Sequence, residues 1–344
     1  MIRNKRQMLF IAIILIFILS LSGCGIIMPF SHKKEANPVS NLTASSLLVD
    51  SAEIRLETIK LIENAKKTIF IELSALDDPE ITNLIVVRSH AGIEVRILLD
   101  QWQRENATTV KNLKNQNISV QYYPAQKGQY QRIRYMVIDY QVAVFYGQDW
   151  LQKGLNDHSL AVKLTGDTAW TIAKSFSKDW EYTTTLTLNL PGNVTLPEDN
   201  ITLSLNGNVK RQIINAINNA NTEIFAEVEQ ISEPETVKAL VAAKQRGCNI
   251  RLIVSPSCAE ATPDAIADFK KAQIEVCYYN PSKKLTMSLN LCVFDNKTMI
   301  MSSSSWSYYS FVINHEGSLK IPAPQAIGKI KTILEGDWDE GTPY

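Results

Sequence analysis

Apolar and polar positions along the chain follow two alternating rhythms. Between Ile54 and Ala65 the residues Leu56, Ile59, Leu61 and Ile62 recur at helical spacing, and Thr68 to Leu73 follows as a short apolar run of strand length. A helix from about Glu80 to Ala91 stops at Gly92, a residue suited to a helix end, and the run from Val95 to Asp100 reads as a buried strand. A helix near Thr108 to Leu113, a strand from Ile118 to Tyr123, two strands from Arg134 to Tyr146 around a turn at Tyr140-Gln141, and a helix from about Asp167 to Glu181 complete the series. Strands alternating with helices imply parallel pairing, with helices covering the sheet.

The series then occurs again. Asn64 to Glu80 (NAKKTIFIELSALDDPE) matches Asn219 to Glu235 (NANTEIFAEVEQISEPE) at a shift of 155, pairing Phe70 with Phe225, Glu72 with Glu227 and Pro79 with Pro234. Gly92 and Arg96 fall on Gly247 and Arg251 in the same register. At a shift of 156, Asp139 meets Asp295 and Trp150 meets Trp306. At 158, Asn156 meets Asn314, His158 meets Glu316, and Asp179-Trp180 meets Asp337-Trp338. A register that drifts so little over most of each half indicates duplication.

The N-terminus changes the picture of where the chain works. A basic stretch, MIRNKRQ, precedes the apolar run Met8 to Leu19, which is short for a membrane span, and Leu21-Ser22-Gly23-Cys24 follows. This order resembles a bacterial lipoprotein signal, with residues 1–23 as the signal peptide. The resemblance implies cleavage before Cys24 and a diacylglycerol thioether on it, so that acyl chains hold the protein on a membrane outside the cytoplasm. Gly25, rather than Asp, follows the cysteine, which by the same resemblance points to the outer membrane if the host has one. The alternative is an uncleaved N-terminal anchor, which also places the domains outside. Residues 24–45 are polar and irregular and read as a tether.

Composition adds little beyond exclusions. Lys+Arg and Asp+Glu are both 35 among 344 residues, so no net field draws the chain to nucleic acid. Cys248, Cys258, Cys277 and Cys292 match no metal spacing. They read as small buried hydrophobes, with one disulfide as the other option in an oxidising compartment.

Several segments carry a family resemblance: AGIEVRILLD with RGCNIRLIV, MVIDYQVAVFYGQDW with LCVFDNKTMIMSSSSW, and INHEGSLKI. They resemble the phospholipase D superfamily, particularly its cardiolipin synthase-like members, over about residues 46 to 344. The resemblance implies an α/β fold of two tandem phospholipase D-like sandwich modules, 46–190 and 209–344, joined by a linker at 191–208. They would be related by a pseudo-two-fold axis, with one shared cleft.

In that family each half supplies H-x-K-x-x-x-x-D, one histidine attacking phosphorus and the other protonating the leaving oxygen. Counting back from Asp139 gives Arg132 and Arg134 at the His and Lys positions, and counting back from Asp295 gives Ser288 and Asn290. Only the aspartates remain, and they read as turn anchors. Arginine stays protonated and cannot be the nucleophile. Four histidines exist: His32 in the tether, His90 at a helix end, and His158 and His315 in the segments resembling Asn-x-Glu. His158 falls at the Glu position that Glu316 keeps in the second copy, and is either a relocated catalytic group or a structural histidine. Arg132 and Arg134 are either an anion clamp or strand residues paired with Glu72 or Asp139. Tyr122, Tyr123, Tyr278 and Tyr279 read as core or cleft wall. The resulting expectation is a catalytically degenerate envelope lipoprotein, without cofactor or metal, that binds phospholipid headgroups, another anionic ligand or an envelope protein. The alternatives are an active phosphodiesterase or phosphatidyltransferase with a rebuilt site, and a scaffold with an empty cleft.

Overall fold

The computed structural model describes residues 38–152, 157–280 and 286–344. The signal segment and Cys24 therefore lie outside the described residues. In the first module the strands are β1 (Leu47–Leu48), β2 (Thr68–Leu73), β3 (Glu94–Asp100), β4 (Ser119–Tyr123), β5 (Tyr135–Ile138), β6 (Val142–Tyr146), β7 (Asp157–His158) and β8 (Ala161–Leu164). In the second they are β9 (Thr202–Leu205), β10 (Glu223–Val228), β11 (Asn249–Val254), β12 (Glu275–Tyr278), β13 (Thr286–Met287), β14 (Asn290–Phe294), β15 (Thr298–Ser302), β16 (Gly317–Ile321) and β17 (Thr342–Pro343). The sheets run β1-β8-β6-β5-β2-β3-β4 and β9-β16-β15-β14-β10-β11-β12-β17, one order used twice with an extra edge strand in the second. The fold is thus the duplicated α/β sandwich expected from the repeat.

Helices form where the polar signals lie. Pro79–His90 (α2) starts with Pro at its first turn and with Asp78 capping the N–H groups of Glu80 and Ile81, while Arg55 from Ser51–Asn64 (α1) pairs with Asp78 at 2.8 Å. The second copy repeats the device with Glu233, which caps Pro234–Gln245 (α6) and pairs with Lys210 of Gly207–Asn219 (α5) at 2.8 Å.

Strand period decides which side chains meet the other module. On β2, Ile69, Ile71 and Leu73 pack outward under α1, α2 and Asn106–Asn115 (α3), whereas Phe70 turns to the central core. Glu72 shares Phe70's face. In β10 the same parity sends Phe225 and Glu227 inward. The central core joins both modules through Asp167–Thr184 (α4) and Pro324–Glu340 (α9), with Phe176 of α4 stacked on Phe70 at 4.8 Å.

Two expectations need correction. Residues 38–45 are not tether: Leu42 is buried in the central core, Ser40 donates its N–H to the Pro322 carbonyl at 2.7 Å, and the Gln325 amide donates to the Ser40 and Leu42 carbonyls at 2.8 and 2.7 Å. Residues 202–205 are not linker. They form edge strand β9 on β16, because their backbone completes the sheet as β1 does in the first module. All four cysteines in the second half are buried free thiols, so no disulfide forms among them; Cys292 sits on β14 in the apolar core.

Candidate functional site

Two hairpins follow the motif positions in the chain. Asp139 and Tyr140 have φ of 54° and 63°, and Asp295 and Asn296 have 51° and 53°. Two successive positive φ values make a hairpin turn matching strand twist, so the first turn is Asp139-Tyr140 rather than Tyr140-Gln141. The Asp139 carboxylate accepts the N–H groups of Lys66, Lys67 and Thr68 at 2.8, 2.6 and 2.9 Å. Asp295 accepts those of Asn221, Thr222 and Glu223 at 3.0, 2.8 and 3.1 Å. Burial pushes the Asp295 carboxyl up, but these donors outweigh it and hold the group below the usual aspartate range. Both aspartates tie a turn to the strand entry and face away from the cleft.

The positions preceding those hairpins meet. Arg132, Arg134, Ser288 and Asn290, with Glu316, line one cleft of about 840 Å³ between the modules. The Arg132 N–H donates to the His315 carbonyl at 2.8 Å and the Ser288 N–H to the His158 carbonyl at 3.0 Å, so each motif start hangs on the opposite module. Arg134 is buried with its Nε 3.0 Å from Asp149, rather than paired with Glu72 or Asp139. Burial disfavours its charge, yet Asp149 more than compensates and holds the guanidinium above its ordinary pKa. Arg132 lies over the Tyr130 ring at 5.2 Å and forms no ion pair among the described residues. Asp149, Asp157, Glu229 and Glu316 share the lining, so the two-arginine clamp reduces to Arg132 facing an acidic wall. Glu316 accepts from Ser303 Oγ at 2.6 Å and Asn314 Nδ2 at 3.1 Å, and burial raises its pKa.

The histidines are elsewhere. Met287 pairs with His158 in β13–β7, and Gln131, its equivalent at a shift of 156, forms the matching bridge to His315. His158 is therefore the counterpart of His315, and Ser159, not His158, stands at the Glu316 position. The apparent match of His158 with Glu316 was one residue out of register.

Each histidine crosses to the other module. His315 Nε2 lies 3.3 Å from Glu72 and 3.5 Å from Asp179 of α4, and its ring stacks on Tyr123 at 4.5 Å. His158 Nε2 lies 3.1 Å from Glu227 and 2.9 Å from Asp337 of α9, with Tyr279 stacked at 5.2 Å. Burial opposes protonation of both rings, but the carboxylates win and push each to about 10. Tyr123 and Tyr279 are thus ring partners of these histidines. Sequence reasoning missed the clusters, although Glu72/Glu227 and Asp179/Asp337 stood out as charged matches within the repeat. His90 is exposed at the end of α2, so among the described residues no imidazole lines the cleft.

Comparison with known proteins agrees with this layout. No curated protein sequence matches the chain. Its fold is similar to the crystal structure of phosphatidylserine synthase from Haemophilus influenzae Rd KW20, with a TM-score of 0.65 and 13% identity over 88% of each chain. It is also similar to polyphosphate kinase from Porphyromonas gingivalis, with a TM-score of 0.64 and 12% identity, covering 89% of this chain and 51% of that one. The family described as "Cardiolipin synthase, PLD-like domain" matches residues 58–180 and 213–338. Since both modules and most of the chain fall within those two matches, the protein belongs to the cardiolipin synthase-like, phospholipase D-like domain family.

Proposed function

We propose that this protein is an exported, lipid-anchored member of the cell envelope whose phospholipase D-like cleft binds phospholipid headgroups without turning them over. The observation that carries the reading is the cleft's content: Arg, Arg, Ser and Asn at the four motif positions and, among the described residues, no imidazole within it. Without an imidazole the cleft lacks the family's nucleophile and its paired histidine acid, and the acid–base part alone is typically worth ~10²–10⁴ in rate. Binding survives that loss. Arg132 can take a phosphate, and Glu229 and Asp157 nearby suit an ammonium, so a zwitterionic headgroup fits this lining better than a purely anionic one.

A second groove supports a membrane-facing position. Lys174 and Lys178 of α4, Arg211 of α5 and Lys320 of β16 line about 660 Å³ that includes no carboxylate. In the first module Lys163, the counterpart of Lys320, is neutralised by Glu57 at 2.8 Å; in the second, Gln212 replaces Glu57 and bonds Ser204 and Ser318 instead. Charge left unpaired in this way is attracted to anionic lipid at about 1 kcal/mol per residue. Val39, near the start of the body, lies close by: Asn200 Nδ2 donates to its carbonyl at 3.1 Å, two residues before the groove's Thr202.

The test uses the full chain in mild detergent. Expected are no release of headgroup from phospholipid, saturable binding of phosphoethanolamine lost in Arg132→Gln, and loss of fatty-acid labelling in Cys24→Ser. Sustained phosphodiester turnover, abolished by His158→Ala, overturns the non-catalytic reading. Unchanged labelling in Cys24→Ser overturns the anchor.

A further inference from the structure

We infer that the two histidine–carboxylate clusters, His315 with Glu72 and Asp179, and His158 with Glu227 and Asp337, are paired divalent-cation sites that pin the modules together. In each, the imidazole nitrogen and both carboxylate oxygens lie within 4.8 Å of one another. The contacts from Nε2 span 2.9 to 3.5 Å. Ligand atoms bonded at ~2.0–2.2 Å around one ion sit at about such separations from each other. One imidazole with two carboxylates suits zinc or another first-row divalent ion rather than the all-oxygen shells of calcium or magnesium.

Direction, as well as distance, favours an ion. Neither Nε2 has hydrogen-bond geometry toward its carboxylates, and both oxygens of the fully buried Glu227 lack a hydrogen-bond donor. The surroundings are those of a metal ligand shell. His315 Nδ1 is 2.9 Å from Asn206 Oδ1, a contact that makes Nδ1 the donor and leaves Nε2 free for a metal. Tyr135 Oη and Gln131 Nε2 donate to Glu72 at 2.5 and 3.2 Å and fix its carboxylate.

Charge points the same way. A divalent ion with a neutral ring balances the two carboxylates of each buried cluster and leaves no net charge there. Ion binding displaces the ring proton, so the two states compete for the same nitrogen. Asp179 at 15% and His158 at 13% side-chain exposure leave an edge through which an ion and a completing water can enter. The sites also reach the cleft, because the His315 and His158 carbonyls hold the Arg132 and Ser288 N–H groups.

The experiment is metal stoichiometry on the full chain in detergent, stripped with chelator and dialysed against micromolar zinc, read by elemental mass spectrometry and by melting temperature. Expected are two zinc ions per chain, one in His158→Ala and in His315→Ala, none in the double variant, and a rise in melting temperature of about 5 °C for the wild-type protein. Glu227→Gln, which keeps shape, should bind one and guards against misfolding of the alanine variants. Wild-type protein that binds no zinc and shows no thermal shift, or a double variant that still holds two ions, overturns the inference. The readout does not involve headgroup binding, so it stands or falls apart from the proposed function.

Discussion

Replacing Asp295 by alanine tests whether the surviving motif aspartates are structural. The carboxylate accepts three backbone N–H groups and the Thr222 hydroxyl at 2.9 Å, and it sits on a residue with φ of 51°. Hydrogen bonds to a charged group contribute ~1.5–3 kcal/mol each when fully counted. Asp295 is only half-buried and its donors lie at the surface, so water recovers most of that, leaving a net cost of about 2 kcal/mol. The positive φ adds up to ~1 kcal/mol for alanine but little for asparagine, which tolerates that region. Asp295→Ala should therefore lose about 3 kcal/mol and Asp295→Asn about half of that. At ~2 °C per kcal/mol for a chain of this size, the melting point of the alanine variant should fall by about 6 °C in differential scanning fluorimetry. The pH dependence follows from the depressed carboxyl. A group whose folded pKa is below its unfolded value contributes stability that is complete above the unfolded pKa and is lost as pH falls through the folded one. The gap between wild type and Asp295→Asn should thus be constant from pH 8 to about 5 and close below about pH 4. Equal melting points at pH 7, or a gap that widens in acid, would refute the turn-anchor account.

Other outcomes follow from single contacts. Leu42→Ala, cutting into the central core from a segment that reads as tether, should cost about 2–3 kcal/mol by urea titration. Arg134→Gln, which leaves a half-buried Asp149 without its cationic partner, should cost about 2 kcal/mol, whereas Arg132→Gln should leave the melting point unchanged. Thiol titration in denaturant should count four reactive cysteines per mature chain, since Cys24 carries lipid in the proposed form; five would place a free thiol there.

Much of the fold could be read from the repeat, because the burial of the central strands and the acidic cap of the second helix recur in the second copy. Asp78 and Glu233, Gly92 and Gly247, and the paired aspartates are local signals acting within a few residues. The site was less legible. A one-residue slip in the segment after Trp150 put His158 opposite Glu316, and only the strand pairing of Gln131 and Met287 corrects it. The histidine clusters bring together residues from opposite modules, with His158 and Glu227 69 positions apart and the other pairs more than a hundred. No periodicity can encode that, although a glutamate at the same place in two apolar strands was a cue that it must find a partner. Arg134 escaped for a different reason, since its partner Asp149 lies on the far side of the hairpin.

The clasp at the start of the body has a mechanical consequence. Residues 40–47 are held along one side by the end of the chain: Ser40 on Pro322, Gln325 on the Ser40 and Leu42 carbonyls, and Lys329 on the Leu47 carbonyl at 2.7 Å, while Leu47 and Leu48 add an edge to the first sheet. A pull applied at residue 38 is shared at once between the first strand and the last helix. These bonds are loaded together in shear instead of being peeled one at a time. The C-terminal helix acts as the buckle of the strap, so shortening the chain at its far end should weaken its grip at the near one.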